Sequence, residues 1–573
     1  MGKSKIYDSY IRAIRWASDR IGDSGVIGYV SGSGFAEKPA MDGLRKSVVG
    51  EFNSIYVLNL RGDIRKNMLS KGAAREGQNV FDTRSMTGIA ITLLVKKPGT
   101  ANRGQIFYHD IGDDLSTKQK LDILKSFASI DGIAQANAWQ SISPDKYGDW
   151  LKQRVDGFDK FLLLGSKGAK QQASLFESYS MGVKTNRDEW TYNANKEKLA
   201  KNVQEMIAAY NKEVARYCDS SQKVEDVPEF VTRDKTKIKW TSDVLGDLVK
   251  GRQSAFVPSD IVKSLYRPFI KQWVYANKTW NWTRHLMPQY FPDAEAQNRV
   301  IIVSGVGSRS GFSALMSDTL PCLDIIEKGQ CFPLYLYGKP EVDPSASGQQ
   351  AIDMFGENAP HLANRARRSA LTDVGLAHFH SAYPSDQISK EDVFYYVYGL
   401  MHSPNYRERY ADNLSKELPR IPCVKTAADF WAFSQAGRKL ADLHLNYETV
   451  APYPVTTGGK TLAAADYRVE KMKYGKKGKD KDLTTLHYNT NITLTGIPLE
   501  AYEYVVNGKP ALDWVVERQC VKTEKDSGIV NDANDWAVKT QGDPRYPVDL
   551  FQRVITVSLE TMKIVNLLPK FAI

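Results

Sequence analysis

Small hydroxyl residues, glycines and cations gather at two turns of this chain where a strand would present them to a ligand. Ser31-Gly32-Ser33-Gly34-Phe35 follows the apolar run Gly25-Val26-Ile27-Gly28-Tyr29-Val30. Ser31 and Ser33 there suit a pocket edge, because ligands of open α/β sheets bind outside the carboxyl ends of strands. A plain tight turn is the other reading. Val300-Ile301-Ile302-Val303-Ser304-Gly305-Val306-Gly307-Ser308-Arg309-Ser310-Gly311 mimics a dinucleotide-binding loop. That function needs a helix next and an acidic residue about 20 positions on. Asp318 and Asp324 are near, but Thr319-Leu320-Pro321-Cys322 interrupts the span the helix would occupy. The run is therefore expected to be a strand ending in a turn, with Ser308 and Arg309 as candidates to reach a nucleic acid. A guanidinium on such a turn can pair bidentately with guanine; a solvated surface arginine is the alternative.

Other polar stretches point the same way. Tyr179-Ser180-Met181-Gly182-Val183-Lys184-Thr185-Asn186-Arg187-Asp188-Glu189-Trp190 supplies Lys184, Asn186 and Arg187, and the segment 266–291 interleaves Arg267 and Arg284 with Trp273, Trp280 and Trp282. Six lysines crowd residues 471–481, read as a loop, and of these Lys473, Lys476 and Lys477 are candidates for DNA phosphates. A solvated loop is the plainer account of them. The net charge of +11, from 77 Lys and Arg against 66 Asp and Glu, agrees with an anionic partner without requiring one.

Several chemistries find no support. The cysteines 218, 322, 331, 423 and 520 form no Cys-x-x-Cys pair, which argues against a zinc ribbon or a disulfide framework and fits a reducing cytosol. His378-Phe379-His380 would share a face if it lay on a strand, yet no third metal ligand adjoins it. A Gly-x-Ser-x-Gly nucleophile turn is absent, and no apolar run has transmembrane length.

Periodicity indicates the scaffold. Ile6, Tyr10, Ile14, Ala17 and Ile21 recur at helical spacing, so residues 7–21 are expected to form an amphipathic helix stopped by Gly22. Strands are expected over 25–30, 54–60, 88–95 and 105–111, with helices near 41–52 and 117–127. Apolar strands alternating with helices make the first part α/β. Residues 1–135 are taken as one domain, 136–175 as a connecting segment, and 176–573 as a large mixed α+β domain of one or two subdomains. Long helices are expected there over 196–217 and within 390–418.

The order helix, strand, Ser-Gly turn, helix, strand, strand resembles the second half of the Rossmann-like sheet in γ-type amino-methyltransferases. Over its whole length the chain resembles the carboxy-terminal portion of Type ISP restriction–modification enzymes. Carriers include Tyr7-Asp8-Ser9-Tyr10-Ile11-Arg12-Ala13-Ile14-Arg15-Trp16-Ala17, the 179–188 stretch, Ser304-Gly305-Val306-Gly307, Tyr398-Gly399-Leu400-Met401-His402-Ser403-Pro404, Leu418-Pro419-Arg420-Ile421-Pro422 and Ser527-Gly528-Ile529-Val530-Asn531-Asp532.

The resemblance implies a methyltransferase half followed by a target-recognition domain that binds double-stranded DNA and places an adenine for N6 methylation. It implies a bacterial cytoplasmic setting. It also makes Phe81, just before the strand at 88–95, the aromatic that would stack on an extruded adenine; a core phenylalanine is the alternative. The catalytic Asn-Pro-Pro-Tyr type tetrapeptide is absent, since no Pro-Pro pair occurs in the 573 residues. The cofactor motif for S-adenosylmethionine is absent too. The chain alone is therefore expected to be inactive and to bind no cofactor. Methyltransferase, translocase and nuclease portions would be supplied in cis or by another chain, and no membrane is involved. A non-catalytic adaptor gripping single strands through its basic and aromatic stretches is the rival function.

Overall fold

Alternation of buried and open positions builds a five-stranded mixed sheet in the first part of the protein. The computed structural model describes residues 7–66, 75–81, 85–99, 102–167, 173–220, 227–338, 366–458 and 462–573. Its sheet contains β1 (Gly25–Gly32), β2 (Ser54–Asn59), β3 (Ile89–Lys96), β4 (Gln105–Asp110) and β5 (Gln140–Ile142), in the order β1-β3-β2-β4-β5. β3 runs antiparallel to both β1 and β2, whereas β2 and β4 are parallel. Helices α1 (Ser9–Ser18) and α2 (Asp42–Glu51) lay Ile11, Ile14 and Val48 into a core with Ile27, Ile55, Val57, Leu94 and Ile106. On the other face, α3 (Thr117–Phe127) and α4 (Ile130–Gln135) cover Leu58, Leu60, Ile89 and Ile111. The strands and helices expected from periodicity are all present; the short edge strand β5 lies in a stretch without the alternation that would announce it.

The chain divides into two compact units. The first comprises Met1–Lys160 with Val306–Ser310 and Arg409–Glu417; the second comprises Phe161–Gly305, Gly311–Glu408 and Leu418–Ile573. One buried charge group braces the first unit: Arg45, 1% exposed, donates to the carbonyls of Phe35, Lys38 and Gly148 and to Asp149, which also pairs with Lys416 at 3.0 Å.

The second unit mixes small sheets with helices. Helix α5 (Lys196–Cys218), whose first turn is capped by the Asn195 side chain, packs on β6 (Ile261–Arg267) and β7 (Ile270–Tyr275). The strand β8 (Val300–Val303) lies antiparallel between Ala314–Ser317 and Gln330–Pro333. A strand follows the Gly-Ser turn where a dinucleotide site would need a helix, so that mimicry ends at the sequence. His378 and His380 lie in the helix Asp373–Ala382, where positions two apart do not share a face.

Helix α6 (Lys390–Leu400) has eight consecutive buried residues, Val393 through Leu400, and is enclosed on all sides. Burial at this depth requires partners for its tyrosine hydroxyls. Tyr396 donates to the Pro422 carbonyl, and Tyr398 meets His444 Nδ1 at 2.6 Å. His444 belongs to α7 (Ala427–Leu445), which approaches α6 glycine to glycine. A Cβ on Gly437 would lie 1.9 Å from the Tyr395 carbonyl oxygen, and one on Gly399 would lie 2.2 Å from that of Phe433. Gly437→Ala is therefore expected to force the helices apart at a cost of about 2 kcal/mol, the usual scale of overpacking. Thermal unfolding of the variant should show a lowered Tm, and an unchanged Tm would mean that the two helices are free to slide.

Candidate functional sites

Strand direction collects the polar groups of the first unit at one edge of its sheet. The carboxyl ends of β1, β2 and β4 and the amino end of β3 meet there. Ser33 N–H donates to the Gly88 carbonyl at 2.8 Å, Leu60 N–H to Ile89 at 2.8 Å, and Ile89 N–H to Arg61 at 2.9 Å. The turn after β2 needs left-handed backbone at Arg61 (φ 52°) and Gly62 (φ 87°). Arg61 Nε donates to Asp110 at 2.6 Å, and its guanidinium also pairs with Asp113. Lys120, fully buried, donates to the carbonyls of Leu60 and Glu76; burial lowers its pKa.

The predicted residues of this unit fall into different settings. Phe81 is 55% exposed, which is incompatible with its being a core residue. Ser31 faces inward, with its Oγ buried and without a hydrogen-bond partner in the structure. Ser33 borders a polar cavity of about 20 Å³ with Glu37, Lys66, Glu76, Asn59 and Tyr108, room for roughly one water and too small for a base. Arg309 is exposed and Ser308 half-buried, in the turn 306–310.

Asn79 was not singled out from the sequence. It is 1% exposed; its Nδ2 donates to the carbonyls of Gly62 at 3.0 Å and Thr87 at 2.8 Å, and its Oδ1 accepts from the Phe81 N–H at 2.9 Å. An asparagine two residues before an aromatic in a turn is the available signal, since Asn readily bonds its own backbone two residues on.

In the second unit the cationic candidates separate into interior and surface groups. Arg187 is fully buried, bonded to Thr241 and 5.5 Å from the Trp280 ring centroid, and burial pushes its pKa down to about 10. It cannot reach DNA, and the expectation for it is corrected: its charge is an internal brace. Arg267 is likewise interior. It donates to the Tyr266 carbonyl and to Cys322 Sγ and lies 3.7 and 4.0 Å from Asp188 and Asp324. Burial opposes its charge, but Cys322, Tyr266 and the carboxylates outweigh that and raise its pKa. Asp188, Cys322 and Asp324 could otherwise hold a metal; in the structure this guanidinium supplies the cation among them. Both arginines come from dense aromatic stretches, and the aromatics that suggested base stacking are what seal them in.

Arg284 donates to the Ala276 carbonyl, and burial lowers its pKa. It lines a cleft of about 420 Å³ with Trp273, whose ring centroid lies 5.0 Å from Lys196 Nζ and 5.8 Å from Lys263 Nζ. Lys184 is half-buried with its Nζ 5.5 Å from the ring centroid of Trp282, and Asn186 is exposed in left-handed backbone. Lys473, Lys476 and Lys477 are exposed on β9 (Lys473–Lys477), which pairs with β10 (Asp480–His487). The expected loop is thus a β-hairpin, turned at Gly478 (φ 62°), with Lys473, Lys476 and Lys477 paired to His487, Lys481 and Asp480. Among the described residues no helix is long and apolar enough to cross a membrane.

Residues 174–550 match the family model described as the Type ISP C-terminal specificity domain. Solved structures are similar over essentially the whole chain. A nuclease-deletion mutant of the Type ISP restriction–modification enzyme LlaGI, in complex with a DNA substrate mimic, is 37% identical with a TM-score of 0.82, covering 100% of this chain and 49% of that one. The ATP-dependent Type ISP enzyme LlaBIII bound to DNA is 36% identical with a TM-score of 0.83, covering 100% and 34%. The DrdV–DNA complex is 32% identical with a TM-score of 0.81, covering 99% and 53%. This chain therefore spans about half the length of two of these relatives and about a third of the other. No curated protein matches it.

Glu37 provides a test of the polar edge. Burial alone would raise its pKa, but Lys152 and Lys66 bring it down to about 2 from 4.5. A depressed carboxylate stabilises the fold above its unfolded pKa, and that contribution is lost as pH falls from about 4.5 towards 2. Glu37→Gln should lower stability at pH 7 by no more than about 3 kcal/mol, the equivalent of the shift. Urea unfolding from pH 7 to 3 should show the gap between variant and parent closing only below about pH 4.5; a constant gap would show that the pairing with the lysines is not its source.

Proposed function

The chain belongs to the Type ISP restriction–modification enzymes, and from that premise we propose that it recognises a duplex DNA sequence and places a target adenine for N6 methylation. The observation that carries this is the specificity-domain match over 174–550, together with relatives solved on DNA. In this account the second unit reads the duplex, with base contacts giving specificity and phosphate contacts register. The exposed cations Lys473, Lys476 and Lys477, with Asn186, are its DNA-facing groups. Lys184 and Arg284 are weaker members, being half-buried. The hairpin β9–β10 carries its lysines on a narrow ribbon, a shape that fits a groove.

The first unit is the second half of a Rossmann-like methyltransferase sheet. Its strand directions support this: β1, β2 and β4 point one way, β3 is reversed between β1 and β2, and the short β5 is reversed beside β4. β1 is an eight-residue edge strand whose Val26 and Val30 are 63% and 56% exposed. Proteins rarely leave such an edge bare, because it templates aggregation; a strand from the preceding methyltransferase portion would pair with it. The exposed Phe81 stands at the carboxyl edge as the wall for an extruded adenine. S-adenosylmethionine and the catalytic tetrapeptide belong to the preceding portion, as do translocation and cleavage, and the setting is the bacterial cytoplasm.

Randomised-duplex selection with the chain should enrich one short motif; preference for single strands without any motif would favour the adaptor function. Replacing Lys473, Lys476 and Lys477 together by Ala should weaken all duplexes alike and flatten the slope of log K against log salt by about 2 to 3 units, near 0.9 per phosphate contact. Fluorescence anisotropy across a salt series measures it, and an unchanged slope removes the hairpin from the interface. Calorimetric titration of the isolated chain with S-adenosylmethionine should show no heat of binding; micromolar affinity would overturn the assignment of the cofactor to the preceding portion.

A further inference from the structure

We propose that Asn79 is a positioning residue for methylation, holding Phe81 where it meets the extruded base. The inference rests on the assignment of Phe81 given above and adds the group that sets its place. Phe81 is more than half exposed, so packing alone does not determine where its ring stands. Among the described residues, the buried side chain of Asn79 holds its backbone N–H. Asn79 spends its amide in three directions: Oδ1 accepts from the Phe81 N–H at 2.9 Å, and Nδ2 donates to the Gly62 carbonyl at 3.0 Å and the Thr87 carbonyl at 2.8 Å. Gly62 lies in the turn after β2 and Thr87 just ahead of β3, so the amide ties the Phe81 turn to two strand ends at once. Its own backbone is pinned from a third element, Thr117 Oγ1 at the start of α3 donating to the Asn79 carbonyl at 2.9 Å.

The fit is close on every side. A Cβ on Gly62 would come within 2.9 Å of Asn79 Cα and 3.2 Å of its Nδ2, and the φ of 87° there suits glycine. An amide in this enclosure has all three bonds satisfied and cannot be replaced by another side chain of the same shape that both accepts and donates. The Oδ1 bond is to the main-chain N–H two residues on, an Asx turn, and what sets this amide apart is that the same side chain also grips the Gly62 and Thr87 carbonyls. Here the acceptor is aimed at that N–H, and small displacements of a contacting group are costly in catalysis.

The test uses the complete enzyme on a duplex carrying its site, with steady-state methylation and 2-aminopurine fluorescence at the target position. Phe81→Ala and Asn79→Ala should each lower kcat by about 10- to 100-fold with the KM for DNA nearly unchanged, as expected of a contact that matters after binding. The double variant should be no slower than Phe81→Ala, because Asn79 acts through Phe81. Asn79→Asp keeps the acceptor for the Phe81 N–H but loses both donors that tie the turn to the strand ends, so it should slow methylation as Asn79→Ala does, again without adding to the loss of Phe81→Ala.

A double variant, of Phe81→Ala with either substitution at Asn79, whose losses multiply would show a structural role only and overturn the inference. If Asn79→Ala fails to fold, Asn79→Asp alone and combined with Phe81→Ala decides by the same comparison. Phe81→Ala with full activity would instead overturn the adenine-wall assignment itself, and Asn79 as a positioning residue with it; full activity of Asn79→Ala beside a slow Phe81→Ala would overturn the positioning role alone.

Discussion

The reversed strand β3 is the constraint on which the first unit depends. A buried strand must satisfy its N–H and C=O groups on both sides, and β3 does so by pairing Gly32 through Gly25 of β1 along one edge and Asn59 through Ser54 of β2 along the other. The two registers fix where β1 and β2 end relative to each other. Ser33, Arg61, Gly88 and, through Asn79, Phe81 are thereby brought to one edge although they are separated by tens of residues in the chain. No side chain at that edge needs to attract another for this to happen; the ladder places them.

The charges at the edge are then arranged by burial rather than by exposure. Lys120 gives its ammonium to two carbonyls, Glu37 is held ionised by Lys66 and Lys152, and Arg45 is enclosed among three carbonyls and Asp149. For the fully buried pair of Arg45 and Asp149, removing the carboxylate would cost about 3 to 5 kcal/mol, because the guanidinium is left without compensation. These groups therefore hold turns in place, and the rigid turns are what present the polar edge.

The second unit shows the same economy with a different consequence for function. Its aromatic stretches provide both core and cover: Trp280 encloses Arg187, and Tyr266 lies 3.9 Å from the Arg267 guanidinium. Arg187 and Arg267, which the sequence places among tryptophans and tyrosines, go inside with them, while the lysines of the β9–β10 hairpin, placed among glycines and threonines, remain outside. A net positive charge consequently says less about the DNA-facing surface than the local company of each lysine or arginine does.

The family, helices α1 to α3 and strands β1 to β4 were legible in the amino-acid sequence, because they follow from local periodicity and from motifs that are contiguous in the chain; strand β5, helix α4 and the exposure of Phe81, for which a core position was the alternative, were not. Helical spacing over 9–18 and apolar runs at 25–32, 54–59 and 89–96 act through neighbours a few residues apart. Tertiary structure alone decided the rest. Whether Arg187 and Arg267 face solvent depends on Trp280 and Cys322, far away in the chain; whether residues 471–481 are loop or hairpin depends on pairing across Gly478; and the part played by Asn79 depends on carbonyls 17 residues before it and 8 after. Hydrogen bonding and burial at these positions are set by long-range registers, and a register is a property of the folded ladder rather than of any segment within it.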